Sequence, residues 1–302
     1  VCKRSEEEFI LMKKMSRAFL SAVLTVALLL SLAACSNADN HSSTVSSESV
    51  STAETSSEAS STVSDASESK PIGIITAMSN ELAMLLEKAE ISETKTIGGV
   101  DYNIGTLEGQ DVVLVQGGIG KSMAAAGTTV LINEFDVKSI IFTGIAGGVG
   151  DEVQVLDEVI ATDLVFHDYG NQTNDGFVWD AAAGVNEDGT IPVDEELSKK
   201  AYEAAVSVLG EDHVFQGRIA TGDQFVASAE YVTYLQEEFD AIACEMEGAA
   251  VARIAAQYEV PCCVIRAMSD KADGAAHDTY ENFGDTAADN SASIVLAMLQ
   301  SM

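Results

Sequence analysis

The sequence predicts an α/β fold, a three-layer αβα arrangement around a central, largely parallel twisted mixed sheet. Three observations predict it. Short runs rich in Val and Ile recur along the chain, helical segments mostly alternate with them, and Gly-rich or acidic turns close the runs. The first run is Pro71-Ile-Gly-Ile-Ile, and a helical pattern follows from Asn80 to Lys88. Asp111 to Gln116 reads as a buried strand ending in Gly117-Gly-Ile-Gly-Lys121, before an Ala-rich helix to Glu134. Ser139 to Thr143 is a strand closed by Gly144-Ile-Ala-Gly-Gly148. Further strands are expected over 159–165, 217–221, 241–244 and 260–268, with helices over 194–208, 228–238, 247–257 and 285–300. In this class ligands bind beyond the carboxyl ends of the strands, so the turns there are where functional residues are expected.

Not all 302 residues belong to that fold. Lys13, Lys14 and Arg17 precede an apolar stretch from Ala18 to Leu32, and small residues lead to Cys35. A basic segment, a short apolar segment and small residues at the exit are the parts of a secretory signal, and the stretch is short for a membrane span. The ending Leu32-Ala-Ala-Cys35 resembles the lipobox of bacterial lipoproteins, which implies cleavage before Cys35 and lipidation of its sulfur. Residues 1–35 are therefore expected to be upstream residues and signal peptide, with translation starting at Met12 or Met15. Residues 36–70 are rich in Ser and Thr and carry six acidic groups without an aromatic. Such a segment cannot bury enough apolar surface to offset its ordering entropy, so a disordered tether is expected, leaving 71–302 as the domain. The implied location is the outer face of the bacterial cytoplasmic membrane, with the lipid as the membrane contact.

The chain carries 48 acidic against 16 basic residues, a formal charge of −32. From residue 71 onward there are 39 acidic and ten basic residues, so the acidity belongs to the folded part. A nucleic-acid surface needs Lys and Arg to neutralise phosphates, so nucleic acid is excluded as a partner. Cys244, Cys262 and Cys263 are the only thiols in the domain, and two adjacent thiols inside apolar runs read as buried small residues rather than a disulfide framework.

Two familiar glycine motifs fail by counting. A Walker A loop would use Gly120, Lys121 and Ser122 but needs Gly at 115, which is Val115. A dinucleotide loop starting at Gly118 and Gly120 needs a third Gly where Met123 stands. What survives is a set of backbone N–H groups at strand-to-helix turns, open to a closely approaching polar ligand. The stronger chemical signal is carboxylates at strand ends: Glu81 after the first run, Glu245-Met-Glu247 after the strand ending at Cys244, and Ser269-Asp270 after Val264 to Met268. Acidic groups converging on one cleft can divide acid and base work, because burial and mutual repulsion separate their pKa values. Asp270, Asp273, His277 and Asp278, with His167-Asp168, lack a compact His spacing of the zinc type, so no metal and no cofactor are expected.

Six blocks then occur in a specific order: Gly73-Ile-Ile-Thr-Ala-Met78-Ser-Asn-Glu81, Gly118-Ile-Gly-Lys121, Thr143-Gly-Ile-Ala-Gly-Gly148, Thr221-Gly-Asp-Gln-Phe225-Val226, Glu245-Met-Glu-Gly248 and Arg266-Ala-Met-Ser-Asp270. Across 71–302 the chain resembles the 5′-methylthioadenosine/S-adenosylhomocysteine nucleosidases of the nucleoside phosphorylase/hydrolase superfamily. The resemblance implies hydrolysis of an N-glycosidic bond in a small nucleoside, a nucleoside phosphorylase-like fold and a homodimer. It implies that Glu81 activates the attacking water and that Asp270 assists the leaving adenine at N7. It further implies that Glu247 grips the ribose hydroxyls, Met246 lies beneath the sugar, Phe225 stacks on the base and the Val226 backbone reads the adenine edge. Phe283 is placed near the 5′-alkylthio group, and Met78, Gly147 and Ser269 complete the substrate-binding set. The chain departs from the family pattern at Gly117 and Ile145, where Ser or Thr is commoner, and over 167–194. A purine nucleoside phosphorylase and a non-catalytic nucleoside-binding lipoprotein are the competing readings. The first needs a phosphate site normally built with Arg, and Arg218, Arg253 and Arg266 all lie outside the Gly-rich turns.

Overall fold

The computed structural model describes residues 70–302. The expected signal peptide, Cys35 and the expected tether up to residue 69 lie outside the described residues. In chain order the elements are β1 (Ile72–Thr76), α1 (Ser79–Lys88), β2 (Glu90–Ile97), β3 (Val100–Leu107), β4 (Gln110–Gln116) and α2 (Lys121–Phe135). They continue with β5 (Ser139–Gly148), β6 (Glu158–Phe166), β7 (Gly170–Thr173), β8 (Gly176–Trp179), β9 (Ile191–Pro192) and α3 (Glu195–Leu209). The last are β10 (Val214–Thr221), α4 (Ala229–Phe239), β11 (Ala241–Glu245), α5 (Gly248–Gln257), β12 (Cys262–Asp270) and α6 (Ala276–Gln300).

Among the described residues, ten strands form one mixed sheet in the order β11-β10-β6-β12-β5-β1-β4-β3-β2, with β9 beside β6. The strands at its centre, β4, β1, β5 and β12, run parallel and are covered on both faces, which is why each reads as an apolar run rather than an alternation. One face carries α2 and α5 through Ala124, Leu131 and Val251. The other carries α1, α3 and α6 through Leu85, Ala201 and Val295. This is the expected αβα layering.

Four features differ from the sequence reading. The β2–β3 hairpin was not expected because almost every residue of β2 is exposed and offers no apolar pattern. Its Gly98-Gly99 turn, with φ of 61° and 83°, is the signal that could have revealed it, since such hairpin turns need positive φ. The short β7–β8 hairpin stands apart from the main sheet. Helix α6 begins at Ala276 rather than 285, because its polar first half is spent on the site and the surface.

The fourth difference matters most. Strand β5 does not stop at Thr143 but continues through the glycines to Gly148, where Gly147 pairs antiparallel with Cys244 of β11. Strands β5, β12, β6, β10 and β11 thus close into a ring. Closure brings the carboxyl ends of β5, β10, β11 and β12 to one mouth, and β1 adds its own end alongside β5.

Candidate active site

Glu81 sits in the first turn of α1 with its carboxylate folded back on the helix N-terminus. Its Oε2 accepts N–H bonds from Ala77 at 2.9 Å and Met78 at 2.7 Å, and its Oε1 accepts from Ile145 of β5 at 3.0 Å. Three backbone donors fix the carboxylate between β1 and β5. Only a glycine fits opposite it: a Cβ on Gly144 would lie 2.4 Å from Oε1. Burial pushes the Glu81 pKa up, against the opposing pull of the Arg266 guanidinium and the three N–H donors.

Arg266 is buried, its guanidinium 3.8 Å from the centre of the Phe142 ring. It donates to Glu245 Oε2 at 2.9 Å and to the Ile265 carbonyl at 3.2 Å. Glu245 is a structural anchor. The Thr221 hydroxyl donates to one of its oxygens, and the N–H groups of Glu247 (3.0 Å) and Gly248 (2.6 Å) donate to the other, at the start of α5. Glu247 turns the opposite way and accepts the Gly120 N–H at 2.6 Å. Burial, with the Glu245 charge next to it, pushes the Glu247 carboxyl up.

The glycine-rich turn is therefore not open, contrary to the sequence reading. Gly120 gives its N–H to Glu247, and Lys121 gives its own to Asp223 at 2.8 Å. The Lys121 ammonium is held by Asp168 at 2.6 Å, with Asp223 at 3.7 Å. Protein carboxylates thus occupy these two N–H groups and the ammonium.

Asp270 closes β12. Its Oδ1 accepts the Ala272 N–H at 2.7 Å and its Oδ2 the Ser269 hydroxyl at 2.8 Å. Burial raises its pKa, with the two hydrogen bonds opposing and Asp273 adding to the rise. Phe225 stacks on His277 with centroids 4.6 Å apart and meets the edge of Tyr280 at 6.2 Å.

Glu81, Glu245, Glu247, Asp270 and Phe225 line a cavity of about 420 Å³. Of the residues selected from the sequence, Glu81, Asp270, Phe225, Val226, Met246, Glu247, Ser269, Met78 and Gly147 line it. Phe283 does not. It is exposed on α6, and Tyr280, one turn earlier, takes the position in the cavity. Ile119, Gln224, His277 and Tyr280 are lining residues that the sequence reading did not place there.

The phosphorylase superfamily model matches residues 71–300. A 5′-methylthioadenosine/S-adenosylhomocysteine nucleosidase from Shewanella sediminis is 36% identical over 232 residues, covering 76% of this chain and 99% of that protein. The chain belongs to this nucleosidase family. The corresponding enzyme from Neisseria meningitidis, solved in complex with methylthio-immucillin-A, is 37% identical with a TM-score of 0.70, over 77% of this chain and all of that one. Futalosine hydrolase from Helicobacter pylori is also similar, at 33% identity and a TM-score of 0.68, over 77% of this chain and 98% of that one.

The His and Asp residues weighed as metal ligands have other contacts. His167 faces the Tyr231 hydroxyl at 3.0 Å, while Asp168 is engaged by Lys121 and by the Asp223 N–H at 2.9 Å. Among the described residues no group of three or more His, Cys, Asp or Glu is placed to hold a metal ion.

Proposed function

We propose that this chain hydrolyses the N-glycosidic bond of 5′-methylthioadenosine, S-adenosylhomocysteine or both, releasing adenine and the 5-thio-substituted ribose. The observation that carries this reading is the pairing of Glu81 and Asp270 on one cavity, beside a glycine turn whose Gly120 and Lys121 N–H groups are already bound to Glu247 and Asp223. The base lies between Phe225 and Asp270, where an aromatic face recognises a purine without ionic contacts. The acid form of Asp270 donates toward N7, and the departing adenine takes that proton. Positive charge develops on the sugar as the bond breaks, and the buried carboxylates Glu81 and Glu247 face it in a site of low dielectric. Glu81 accepts a proton from the attacking water, for which its raised pKa makes it a stronger base than an exposed glutamate. Glu247 holds the ribose hydroxyls and Met246 packs beneath the ring.

Water rather than phosphate is the nucleophile on this reading. Arg266 is committed to Glu245 and Ile265, Arg218 to Asp163, and Lys121 to Asp168. The purified protein is expected to release adenine from 5′-methylthioadenosine in phosphate-free buffer, with mass spectrometry detecting the free thio-ribose. A substrate panel including S-adenosylhomocysteine and futalosine fixes the preference. Ribose 1-phosphate products that form only when phosphate is added would make the protein a phosphorylase, and tight binding without turnover would make it a carrier.

Export and anchoring through Cys35, and a homodimer, are further parts of the proposal. The signal-like residues 11–35 support the first. Exposed Ile119, which lines the cavity, and exposed Met123, four residues on, support the second, since a partner copy would cover them. Palmitate labelling that survives Cys35→Ser would remove the anchor, and a monomer mass in sedimentation would remove the dimer.

A further inference from the structure

The end of the cavity formed by α6 holds a polar group that a thioether substrate does not need. Tyr280, like Met78 and Leu156, packs against the buried cluster of Ile145, Ala267, Ala287 and Ala288, and its hydroxyl approaches the Met78 sulfur at 3.8 Å. Sulfur is a weak acceptor, so the phenol keeps its donor capacity. The ring is fixed rather than free to swing to solvent. Gly284, one helical turn on, leaves room for it, since a Cβ there would lie 3.3 Å from the ring edge. Phe225 closes the other side, edge-on at 77°.

The charge around the hydroxyl decides what it can bind. Burial raises the Tyr280 pKa, and Glu81, Asp285 and Asp270 raise it further, so the group remains a donor. The carboxylates of Glu81 and Asp285 disfavour an anionic acceptor and leave a neutral oxygen as the fitting one. Met78 ties this corner to the reaction centre, because its N–H also holds Glu81. On the proposed placement of the base against Phe225 and Asp270 and the sugar over Glu81, the 5′ substituent is directed to the part of the cavity lined by Met78 and Tyr280.

Resting on the nucleosidase reading above, we propose that Tyr280 is a specificity-determining residue that donates its hydroxyl hydrogen to an oxygen at the 5′ position. It thereby extends the substrate range from 5′-thio-substituted to 5′-hydroxy purine nucleosides. A neutral hydrogen bond to substrate is worth about 3–10-fold in kcat/KM. The test compares the full-length protein with Tyr280→Phe on adenosine, 5′-methylthioadenosine and 5′-deoxyadenosine, which has no 5′ acceptor. The expected result is that Tyr280→Phe lowers kcat/KM for adenosine by about 3–10-fold, mainly through KM, and changes the other two by less than about twofold. Equal losses on all three substrates, or no loss on adenosine, would overturn the proposal. So would a wild-type protein that cleaves 5′-methylthioadenosine but not adenosine. A wild type that cleaves none of the three and leaves S-adenosylhomocysteine intact as well refutes the nucleosidase reading itself, a result distinct from the others.

Discussion

Glu81→Gln is expected to lower kcat/KM for 5′-methylthioadenosine by about 10²–10⁴-fold, the range that a positioned general base contributes. The amide cannot accept a proton from water, and it removes a negative charge facing the developing positive charge of the sugar. The substitution also disturbs a built socket. Both Glu81 oxygens accept backbone N–H groups, from Ala77 and Met78 on one side and Ile145 on the other. An amide can satisfy one side with its oxygen and must present its NH₂ to a donor on the other. Leaving such a buried donor unpaired costs about 1–3 kcal/mol, offset in part because the buried carboxylate no longer needs desolvating. A modest loss in thermal stability is therefore expected beside a large loss in rate. Steady-state kinetics and a melting curve on the same sample separate the two. Near-native turnover would end the assignment of Glu81 as base, and outright unfolding would show that its main task is to hold β1 against β5.

What the sequence made legible follows burial. Strands β1, β4 and β12 are largely or wholly buried and were visible as apolar runs. Strand β2 was invisible because its partner β3, and not the core, holds it in place. The ring closure through Gly147 and Cys244 was equally hidden, since glycine carries no pattern of its own and the pairing joins residues nearly a hundred positions apart.

The candidate site shows the same division. Glu81, Glu247 and Asp270 were legible because acidic residues at the ends of apolar strands are costly to place there without a task. The state of the glycine turn was not. Its N–H groups looked available, and only the fold reveals that Glu247 and Asp223 reach them. Phe283 and Tyr280 share one helix three residues apart, and sequence alone did not decide which of them overhangs the cavity. Local pattern identifies groups capable of chemistry, whereas which donors are spent depends on contacts between distant segments.

Asp270→Asn is expected to lower turnover on 5′-methylthioadenosine by about 10²–10⁴-fold while leaving the fold nearly unchanged. The substitution is close to isosteric, and its surroundings adapt. The introduced amide would keep its oxygen on the Ala272 N–H, and Ser269 can turn its hydroxyl hydrogen to the Ala146 carbonyl, 3.2 Å away, to receive the new NH₂. What disappears is the transferable proton. In the wild type that proton is retained to higher pH than on an exposed aspartate, because burial raises the pKa. The sign follows: activity that needs the acid form is present below the Asp270 pKa in the folded protein and falls as pH rises through it, above the usual aspartate range. This descending limb of kcat should be absent from the residual activity of Asp270→Asn. The leaving group provides a second check. A riboside with a leaving group such as 4-nitrophenolate departs without protonation, so Asp270→Asn should cleave it within about tenfold of the wild-type rate, whereas Glu81→Gln should stay strongly impaired. If Asp270→Asn is equally damaged on both substrates, Asp270 acts by shaping the base pocket rather than as the acid. The two carboxylates would then not divide the reaction between leaving group and nucleophile.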